Sequence, residues 1–362
     1  MKAYIVEREA LAHNIQELVA YAKGVPVWGV LKGNGYGLGV LPMAKLLAEN
    51  GVDRFAVTDM AEAAQLRESF PDAPILMLRA TADPEEIRTL LEQNILLTVS
   101  GYEMAAAINA IAEERGQIAQ VQLCIDTGMG RYGFLPEAAD QIVSLFHELR
   151  SLCVCGMYTH FHSAFSNEAA TREQFRQFTA LAEQLRQAGC EPGMLHCCNS
   201  SAFLRWPEMH LDGVRIGSAF LGRLAIQSPV PLTRIGYVEA TVEDLRLLPK
   251  GHSVGYGAGY VCKRPTRIAV VGVGWYHGFG AERENDLNRF RDHLRAAVKH
   301  LLSLFSRKSI QVSVNGQPCR VLGHIGMVHT VVDVTDIDCA LGDRVVLQVN
   351  PLNMKGLPIE FR

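Results

Sequence analysis

Lys32 has the sequence surroundings of a lysine that does chemistry. It follows directly on an apolar run typical of a buried strand, residues 27–31, and opens a glycine-rich segment, residues 32–39. Lysine is rarely buried unless it is paired or used, and a desolvated amine has a lowered pKa and reaches the neutral form that attacks an aldehyde. Such a lysine can hold an aldehyde cofactor. The alternative is a lysine that extends its amine into solvent beside a flexible turn, and Lys32 alone leaves both interpretations open.

The glycine-rich segment resembles a known signature. Residues 32–37 read Lys-Gly-Asn-Gly-Tyr-Gly, similar to the cofactor motif of the alanine racemases, which are fold-type III pyridoxal phosphate enzymes. Further matches to this family follow in the same order along the chain, at residues 126–133, 159–161, 196–201, 214–217 and 254–257. Ordered matches over most of the chain are strong evidence for the fold and the cofactor, and weaker evidence for the substrate.

The resemblance implies a racemase that uses pyridoxal 5′-phosphate and two bases. Lys32 would bind the cofactor covalently and transfer the proton on one face of the amino-acid Cα, and Tyr256 would be the base on the opposite face. In alanine racemases this tyrosine comes from the partner subunit, so the resemblance also implies a homodimer with shared active sites. Without the family match, Tyr256 is more simply a tyrosine in a glycine-rich β-turn.

The resemblance also assigns binding roles. Arg215 would face the pyridine nitrogen, with His160 supporting it. Because a guanidinium only donates, the ring nitrogen would stay unprotonated, which favours return of the proton over decarboxylation or elimination. Arg131 would lie near the phenolic oxygen of the cofactor and, with Met327, at the substrate carboxylate. The other cofactor-binding residues implied, most of them at the phosphate, are Tyr36, Asn199, Ser200, Gly217 and Ser218.

Hydrophobic periodicity predicts an α/β fold with an N-terminal (β/α)8 TIM-like barrel. From residue 25 to about 222, short β-rich runs alternate with segments of helical period. The strands are expected at residues 27–31, 54–57, 75–78, 95–99, 121–125, 154–158, 194–197 and 211–215, roughly the eight of such a barrel. Helices are expected between them at residues 41–49, 60–68, 84–93, 104–114, 137–149 and 168–187.

The predicted strands place the candidate site at one end of the barrel. Lys32, residues 126–131, His160, Asn199 and Arg215 each follow on the last apolar residue of a predicted strand. In barrels of this kind the carboxyl ends of the strands carry the chemistry. Turn-prone residues end strands in any protein, but a lysine, a histidine and two arginines are not what turn formation alone selects.

A second, mainly-β domain is expected after the barrel. From about residue 227 the chain shows short β-patterned runs, so the expected domains are residues 1–226 and 227–362. Asn315-Gly316 between two such runs predicts a β-hairpin. Residues at about 284–306 have the pattern of a basic amphipathic helix, expected to be an insertion that packs on its own domain, with a membrane surface as the alternative.

Composition excludes several classes of protein. A length of 362 residues favours two domains, and a net charge of −3 without a long single-sign run gives no reason to expect a nucleic acid or an acidic membrane as partner. The chain shows neither a leader-like start nor a long apolar run, so a cytoplasmic location is expected. The nine cysteines are scattered, which favours reduced thiols; they lack the spaced pairs of a zinc site, so no metal is expected.

Two positions at the expected cofactor site depart from the family pattern. Cys124 stands where family members commonly have a modified lysine that positions the arginine matching Arg131. Phe361 stands in place of a terminal tyrosine that bonds the phosphate. Arg131 is therefore expected to be held differently here, and the phosphate to lose a hydrogen bond.

Other departures fall in segments that line the substrate corridor of the family. They are Trp275, His277, His324 and Val328. A charged side chain that enters a desolvated corridor needs a fixed partner, so this rebuilt corridor predicts alanine and serine as the best substrates and lysine, arginine and glutamate as poor ones.

Two alternative functions stay open. One is a fold-type III pyridoxal phosphate lyase, namely a decarboxylase, a dehydratase or an aldolase, although no His-x-Cys metal pair follows residue 227. The other is a homologue that binds the cofactor or a D-amino acid without turnover. Single-barrel cofactor carriers resemble the Lys32 motif but lack the second domain and Tyr256.

Overall fold

The computed structural model describes residues 1–281, Val298 and residues 311–362. The helix expected at about 284–306 therefore lies, apart from Val298, outside the described residues. No helix within the described ranges combines the length and the apolar character needed to cross a membrane.

The chain forms two compact units. One is Glu9–Ile235, and the other combines Met1–Arg8 with Gly236–Arg362. The expected boundary near residue 226 stays a prediction, but the N-terminal residues were expected in the barrel. They instead form strand β1 (Lys2–Val6), which pairs with strands of the second unit.

The unit Glu9–Ile235 is a parallel β-barrel surrounded by helices, as predicted. Its strands are β2 (Val27–Val30), β3 (Arg54–Val57), β4 (Ile75–Met77), β5 (Leu97–Val99), β6 (Ala119–Ile125), β7 (Leu152–Thr159), β8 (Met194–His196) and β9 (Val214–Ile216). Its helices are α1 (Arg8–Tyr21), α2 (Lys32–Tyr36), α3 (Val40–Glu49), α4 (Met60–Ser69), α5 (Pro84–Glu92), α6 (Tyr102–Glu114), α7 (Ala139–Glu148), α8 (Glu168–Gln187) and α9 (Ser200–Arg205).

The barrel is closed by two short connections. Strands β4, β3, β2 and β9 form one parallel segment, and β5, β6, β7 and β8 form another. Single parallel bridges, Leu76 with Leu96 and His196 with Gly213, join the two segments at both edges. The carboxyl ends of all eight strands therefore meet at one mouth.

Side-chain caps begin several barrel helices. Asp59 accepts the backbone N–H of Ala61 at the start of α4, and Asn167 accepts that of Ala170 at the start of α8. Asp83 does the same for α5, with Pro84 at the first helical position, where its missing N–H costs nothing. The strand-to-helix turns at the mouth are thus fixed by local sequence.

The last barrel strand begins later than the sequence predicts. A strand was expected at 211–215, whereas β9 is Val214–Ile216. Leu211 has a φ of 51° and lies in a turn. The carboxylate of the next residue, Asp212, accepts the backbone N–H of Leu195 at 2.9 Å, which fixes this turn before the strand starts.

The second unit is mainly β, as predicted. Besides β1, its strands are β10 (Tyr237–Leu248), β11 (Ser253–Val254), β12 (Tyr260–Val261), β13 (Thr266–Val271), β14 (Gln311–Val314), β15 (Gln317–Arg320), β16 (Thr330–Asp333), β17 (Arg344–Leu347) and β18 (Ile359–Phe361). The main sheet has the order β15-β14-β17-β10-β1-β18, with β13 and β16 continuing from β10, and β11 pairs with β12 separately.

Strand β10 links the two parts of this sheet. Its first half pairs with β1 and β17, and its second half pairs with β13 after a bulge between Val242 and Asp244. The bulge bends the strand so that one segment serves two sets of partners. Asn315 and Gly316 have φ of 49° and 82° and join β14 to β15, the hairpin that the sequence predicts.

Candidate active site

A pocket of about 380 Å³ opens at the carboxyl ends of the barrel strands. It brings together most of the site residues expected from the sequence. These are Lys32, Tyr36, Arg131, His160, Asn199, Ser200, Arg215, Gly217 and Ser218. Although they lie up to 186 positions apart in the chain, these residues line one pocket, because parallel strands end at the same mouth.

Lys32 presents its amine to this pocket. It follows β2 and lines the pocket, where its side chain is exposed at the pocket opening while the neighbouring atoms partly desolvate the amine. This desolvation, together with the positive charges of Arg131 and Arg215, lowers the pKa of Lys32. A larger fraction of the amine is therefore neutral near physiological pH than for a lysine in water.

The turn after Lys32 has an unusual backbone. Gly33, Asn34 and Gly35 have φ between 55° and 65°, the left-handed region that glycine and asparagine tolerate. Glu62 holds the turn, since its carboxylate accepts the backbone N–H of Asn34 at 2.7 Å. The glycine-rich sequence is thus required to reverse the chain here and to bring Tyr36 back to the pocket wall.

Hydroxyl and backbone N–H groups collect at one wall of the pocket. Ser200 Oγ accepts the backbone N–H groups of Gly217 at 3.2 Å and Ala219 at 3.4 Å. Burial raises the pKa of Tyr36 to about 12, although the backbone N–H of Ser218 at its hydroxyl acts in the opposite direction. A Cβ at Gly217 would lie 2.2 Å from the Tyr36 hydroxyl oxygen, so only glycine allows this close approach.

Asn199 positions the serine of this wall. Its side-chain oxygen accepts the backbone N–H groups of Ser201 and Ala202 at 3.1 Å, which caps α9. Its side-chain nitrogen donates to the carbonyl of Phe161 at 3.2 Å. Asn199 therefore fixes the start of α9, where Ser200 lies.

Arg215 is held by His196, which opens the matched segment 196–201 but had no role assigned from the sequence. Arg215 is only 4% exposed, and its Nη1 donates to His196 Nδ1 at 2.6 Å. Because His196 Nδ1 accepts, Nε2 carries the hydrogen, and it donates to Gln122 Oε1 at 2.6 Å. Arg215 also donates to the carbonyl of Thr159 at 2.6 Å. This network fixes both the guanidinium and the tautomer of His196.

His160 was expected to support Arg215, and the structure gives that contact to His196 instead. His160 lines the pocket. Burial, followed by the charges of Arg215, Lys32 and Arg131, lowers the pKa of His160 to about 3. His160 is therefore a neutral ring on the pocket wall. His196 ends β8, and its backbone bridges to Gly213 directly before β9, a neighbour relation that no sequence spacing reveals.

The loop that carries Arg131 is closed on Asp126. The Asp126 carboxylate accepts the backbone N–H groups of Gly128 at 2.9 Å and Gly130 at 2.9 and 3.0 Å. Partial burial opposes ionisation, but the N–H groups of residues 128–131 outweigh it and lower the pKa of Asp126. A Cβ at Gly133 would lie 2.5 Å from the backbone nitrogen of Asp126, so glycine is needed where the loop returns.

Cys124 lies beside this loop and lines the pocket. Its thiol is buried, which raises its pKa to about 11, and it donates to the carbonyl of Tyr132 at 3.5 Å. The Arg131 guanidinium lies 5.5 Å from the centre of the Tyr132 ring. In the described residues, Arg131 is thus placed by its own backbone loop and by an aromatic neighbour.

Tyr256 and Met327 belong to the second unit and do not line this pocket. Tyr256 is 81% exposed, in a turn between β11 and β12 where Gly255 and Gly257 have positive φ. Met327 is 54% exposed, and its carbonyl accepts the backbone N–H of Tyr276 at 2.9 Å. Both side chains are available at the surface of their own unit.

The rebuilt corridor segments contain one buried residue. Trp275, His324 and Val328 are exposed, as a corridor requires. His277 was expected beside them, but it is only 3% exposed and accepts the backbone N–H of Gly274 at Nδ1. Its Nε2 lies 3.1 Å from Lys2 Nζ. His277 is therefore a structural residue of this turn.

Two comparisons with known proteins agree on one family. The chain matches "Alanine racemase, N-terminal domain" over residues 6–224 and "Alanine racemase, C-terminal domain" over residues 236–356. It is 33% identical to an alanine racemase of Desulforamulus reducens, over 94% of this chain and 88% of the relative. It is 31% identical to an alanine racemase of Clostridium tetani, over 94% of this chain and 84% of the relative.

Solved structures are similar over the whole chain. An alanine racemase of Clostridium difficile 630 superimposes with a TM-score of 0.84 at 26% identity, covering 100% of this chain and 95% of that one. An alanine racemase of Streptomyces lavendulae gives a TM-score of 0.83 at 26% identity, covering 100% and 97%.

Proposed function

The chain belongs to the alanine racemase family, and we propose that it interconverts L- and D-alanine by proton transfer at Cα, with pyridoxal 5′-phosphate as its cofactor. The observation that carries this proposal is Lys32. It is the one lysine among the described pocket residues, and its amine is desolvated and faces two arginines. A lysine whose pKa is lowered, in a positively charged pocket, is suited to the capture of an anionic aldehyde.

The described pocket residues fit this cofactor. The wall around Gly217 combines the hydroxyls of Tyr36 and Ser200 with backbone N–H groups, a donor set suited to a phosphate. Where a side chain at position 217 would fill the space, glycine leaves it open. When bound, pyridoxal phosphate supplies an aldehyde that the lysine amine captures and a ring that withdraws electrons from Cα.

Lys32 and Tyr256 are proposed as the two bases. The lowered pKa of Lys32 lets Nζ accept a proton on one face of Cα and return it. Tyr256 would serve the opposite face. Because its side chain is 81% exposed on the second unit, its hydroxyl can reach a pocket of another molecule. We therefore place Tyr256 of the partner subunit at each pocket and propose a homodimer with shared sites.

The remaining site residues are proposed to bind and orient. Arg215 donates to the pyridine nitrogen and cannot supply a proton to it, since a guanidinium stays charged. The neutral ring of His160 would form part of the pocket wall beside the cofactor. Asn199 fixes Ser200 at the phosphate. Arg131 and the backbone of Met327 bind the substrate carboxylate.

Two finer features are part of the same proposal. Serine would be accepted beside alanine, because exposed Trp275 and His324 offer a polar corridor without a fixed charged partner. All nine cysteines are free, which fits a reducing compartment, so we place the enzyme in the cytoplasm.

The test is Lys32→Ala, with Lys45→Ala as the control because Lys45 is an exposed lysine of α3. We expect purified wild-type protein and the control to show the absorbance of a lysine-bound cofactor and to racemise alanine and serine in both directions by chiral chromatography. Lys32→Ala should lose both properties.

Other outcomes would contradict the proposal. Retention of covalently bound cofactor in Lys32→Ala would remove Lys32 from its role. Release of carbon dioxide, ammonia or an aldehyde from the amino acids by the wild-type protein would identify a lyase. Cofactor absorbance without turnover on any amino acid would identify a binding protein.

A further inference from the structure

A second cavity lies at the opposite end of the barrel from the active-site pocket. Its volume is about 450 Å³, and it is lined by residues at the beginning of barrel strands, such as Trp28, Arg54 and Met194. Residues that follow the same strands line the active-site pocket. Since the strands are parallel, the two openings lie at opposite ends. A volume of this size is in the range of small-molecule sites, about 300 to 1,000 Å³.

Trp28, which lines this cavity, carries an unused hydrogen-bond donor that is covered by neighbouring atoms. The Trp28 side chain is 2% exposed, and its indole Nε1–H has no hydrogen-bond partner among the described residues. Buried donors are nearly always paired, so an unpaired one in a cavity wall points to an acceptor that enters from outside. Neighbouring side chains cover this N–H. Met194, a flexible side chain, lines the cavity and packs against the cluster that contains Trp28, so an acceptor can reach the N–H when these side chains shift.

The charged groups of the wall favour an anion. Arg54 and Arg67 lie in the wall, and Asp72 is its one described carboxylate. Arg67 is already used, because it donates to the carbonyls of Gln93, Phe70, Pro71 and Asn94. Arg54 donates through Nε to an exposed Asp53, and its guanidinium lies over the Trp28 ring, 5.6 Å from the ring centre. Among the described residues its terminal N–H groups have no hydrogen-bond acceptor, so they can meet a ligand beside Trp28.

The rest of the wall is apolar or neutral. Leu96, Pro74 and Met194 supply apolar surface. Gln122 lies beside them with its Oε1 occupied by His196. A ligand that matches this wall has an apolar body and carries an acceptor group with negative charge.

The cavity is connected to the active site through His196. The Trp28 and His196 rings stack with centres 6.0 Å apart, and Gln122, which lines the cavity, accepts from His196. His196 in turn accepts from Arg215, which lines the active-site pocket. The cavity residues Trp28 and Gln122 therefore each lie two contacts from Arg215 of the active site.

We propose that this cavity is a binding site for a small organic carboxylate with an apolar body, distinct from the pocket where the reaction takes place. The carboxylate pairs with Arg54 at the rim, and an acceptor atom reaches the indole N–H of Trp28. Occupation changes the packing on His196 and is felt at Arg215. The proposal does not rest on the identity of the reaction.

The test uses the full-length, cofactor-loaded protein with 5-fluorotryptophan incorporated and three probes of one shape: benzoate, benzamide and benzylamine. The chain has three tryptophans, so Trp→Phe variants at 28, 206 and 275 assign the resonances. Benzoate should shift the Trp28 resonance saturably and leave that of Trp206 unchanged. It should bind at least about tenfold more tightly than benzylamine, with benzamide between them.

Arg54→Gln is the rim variant, chosen because Arg54 is partly exposed and its loss should not prevent folding. This variant should bind benzoate about fivefold or more weakly and bind benzamide with unchanged affinity, since only the charged probe uses the guanidinium. Three results would overturn the proposal: a Trp28 resonance that none of the probes moves, benzylamine binding as tightly as benzoate, or Arg54→Gln weakening both benzoate and benzamide equally.

Discussion

At the scale of single residues, the identity of the partner of Arg215 matters most. A buried guanidinium needs acceptors for its N–H groups, and the carbonyls of Thr159 and His196 with the ring of His196 provide them. Burial and the adjacent charge of Arg215 hold the pKa of His196 well below its usual range, so the ring stays a neutral acceptor. A protonated His196 would turn this acceptor into a second cation.

We predict that His196→Phe disturbs the cofactor site as well as stability. The aromatic ring is kept, but Arg215 and Gln122 each lose a partner inside the barrel, at about 1 to 3 kcal/mol for each unsatisfied group. The absorbance of the bound cofactor should shift, and turnover of alanine should fall at least about tenfold. Absorbance spectra, steady-state kinetics and urea unfolding measure the three effects.

His210→Phe is the matched control. His210 is also buried in the barrel unit, and its Nε2 contacts the carbonyl of Phe203 at 2.8 Å, but it does not line the pocket. His210→Phe should lower the free energy of unfolding and leave the cofactor spectrum and the turnover of alanine unchanged. If both variants lose only stability, His196 has no positioning role.

At the scale of elements, the backbone loop after β6 positions Arg131 without the additional side-chain contact that the family commonly has. The family commonly holds the arginine matching Arg131 with a modified lysine, and Cys124 cannot do so, because a buried thiol with a pKa of about 11 is neutral. The Asp126 carboxylate holds the backbone up to Arg131, and backbone hydrogen bonds of Phe134 with Cys124 and Asp126 hold it beyond. The position of Arg131 thus depends on the carboxylate of Asp126.

We predict that Asp126→Ala loosens Arg131 and acts on substrate binding. Gly128 and Gly130 lose their acceptor, so the loop samples other conformations. The KM for alanine should rise about tenfold or more, with a smaller change in kcat, because uniform binding of the carboxylate is lost. The KM of Asp126→Asn should lie between those of the wild-type protein and Asp126→Ala, since its one amide oxygen can still accept a backbone N–H.

Asn167→Ala controls for a general effect of losing a cap. Asn167 accepts the backbone N–H of Ala170 at the start of α8, in the same unit. Asn167→Ala should lower the free energy of unfolding by about 1 kcal/mol and leave the KM for alanine unchanged. A KM for Asp126→Ala equal to that of the wild-type protein would show that Arg131 is held by other groups.

At the scale of the whole molecule, the proposed dimer makes each active site a product of two chains. Tyr256→Phe should leave the cofactor spectrum intact and lower turnover by about 10²-fold or more, the usual scale of losing a general base. Lys32→Ala should be inactive. A heterodimer of these two variants contains one site with both changes and one site with neither.

Co-expression of Lys32→Ala and Tyr256→Phe under separate tags tests this arrangement. The purified heterodimer should recover about half of the wild-type activity per dimer if residues of the two chains meet at each site. If each chain completes its own site, both sites of the heterodimer carry one change and activity stays at the level of the single variants. A monomer by light scattering would also contradict the proposal.

The buried histidines make stability depend on pH. His160, with a pKa of about 3, and His196 stay neutral in the folded chain, whereas both take up a proton near pH 6.5 once unfolded. The contribution of these two histidines to the free energy of unfolding is present above pH 6.5 and is lost as the pH falls below it. From pH 7.5 to 5.5 the free energy of unfolding should drop by roughly 3 kcal/mol for the two together.

Urea unfolding at the two pH values measures this drop. His196→Phe should reduce it by about half, and His13→Gln, which changes an exposed histidine of α1, should leave it as it is. Equal stability of the wild-type protein at pH 7.5 and 5.5 would mean that these rings are protonated without cost in the folded chain.

Much of this protein is determined by its sequence alone. Alternation of apolar runs with helical periods is a local property, so all eight predicted barrel strands overlap observed ones. Turn chemistry is local as well: Asn315-Gly316 forms its hairpin, and the glycines after Lys32 take the left-handed conformations that few other residues adopt. Because parallel strands share one mouth, strand order alone is enough to collect the pocket residues from Lys32 to Ser218.

Only the tertiary structure determines contacts between residues that are distant in the chain. His196 rather than His160 holds Arg215, because the backbone bridge of His196 with Gly213 brings the end of β8 beside the start of β9, which carries Arg215. His277 is buried because Lys2, some 275 positions away, lies against it. Residues 1–8 pair with the β unit because β10 and β18 offer free edges to β1. Each of these arrangements depends on packing between residues that are distant in the chain, which local residue type and spacing do not encode.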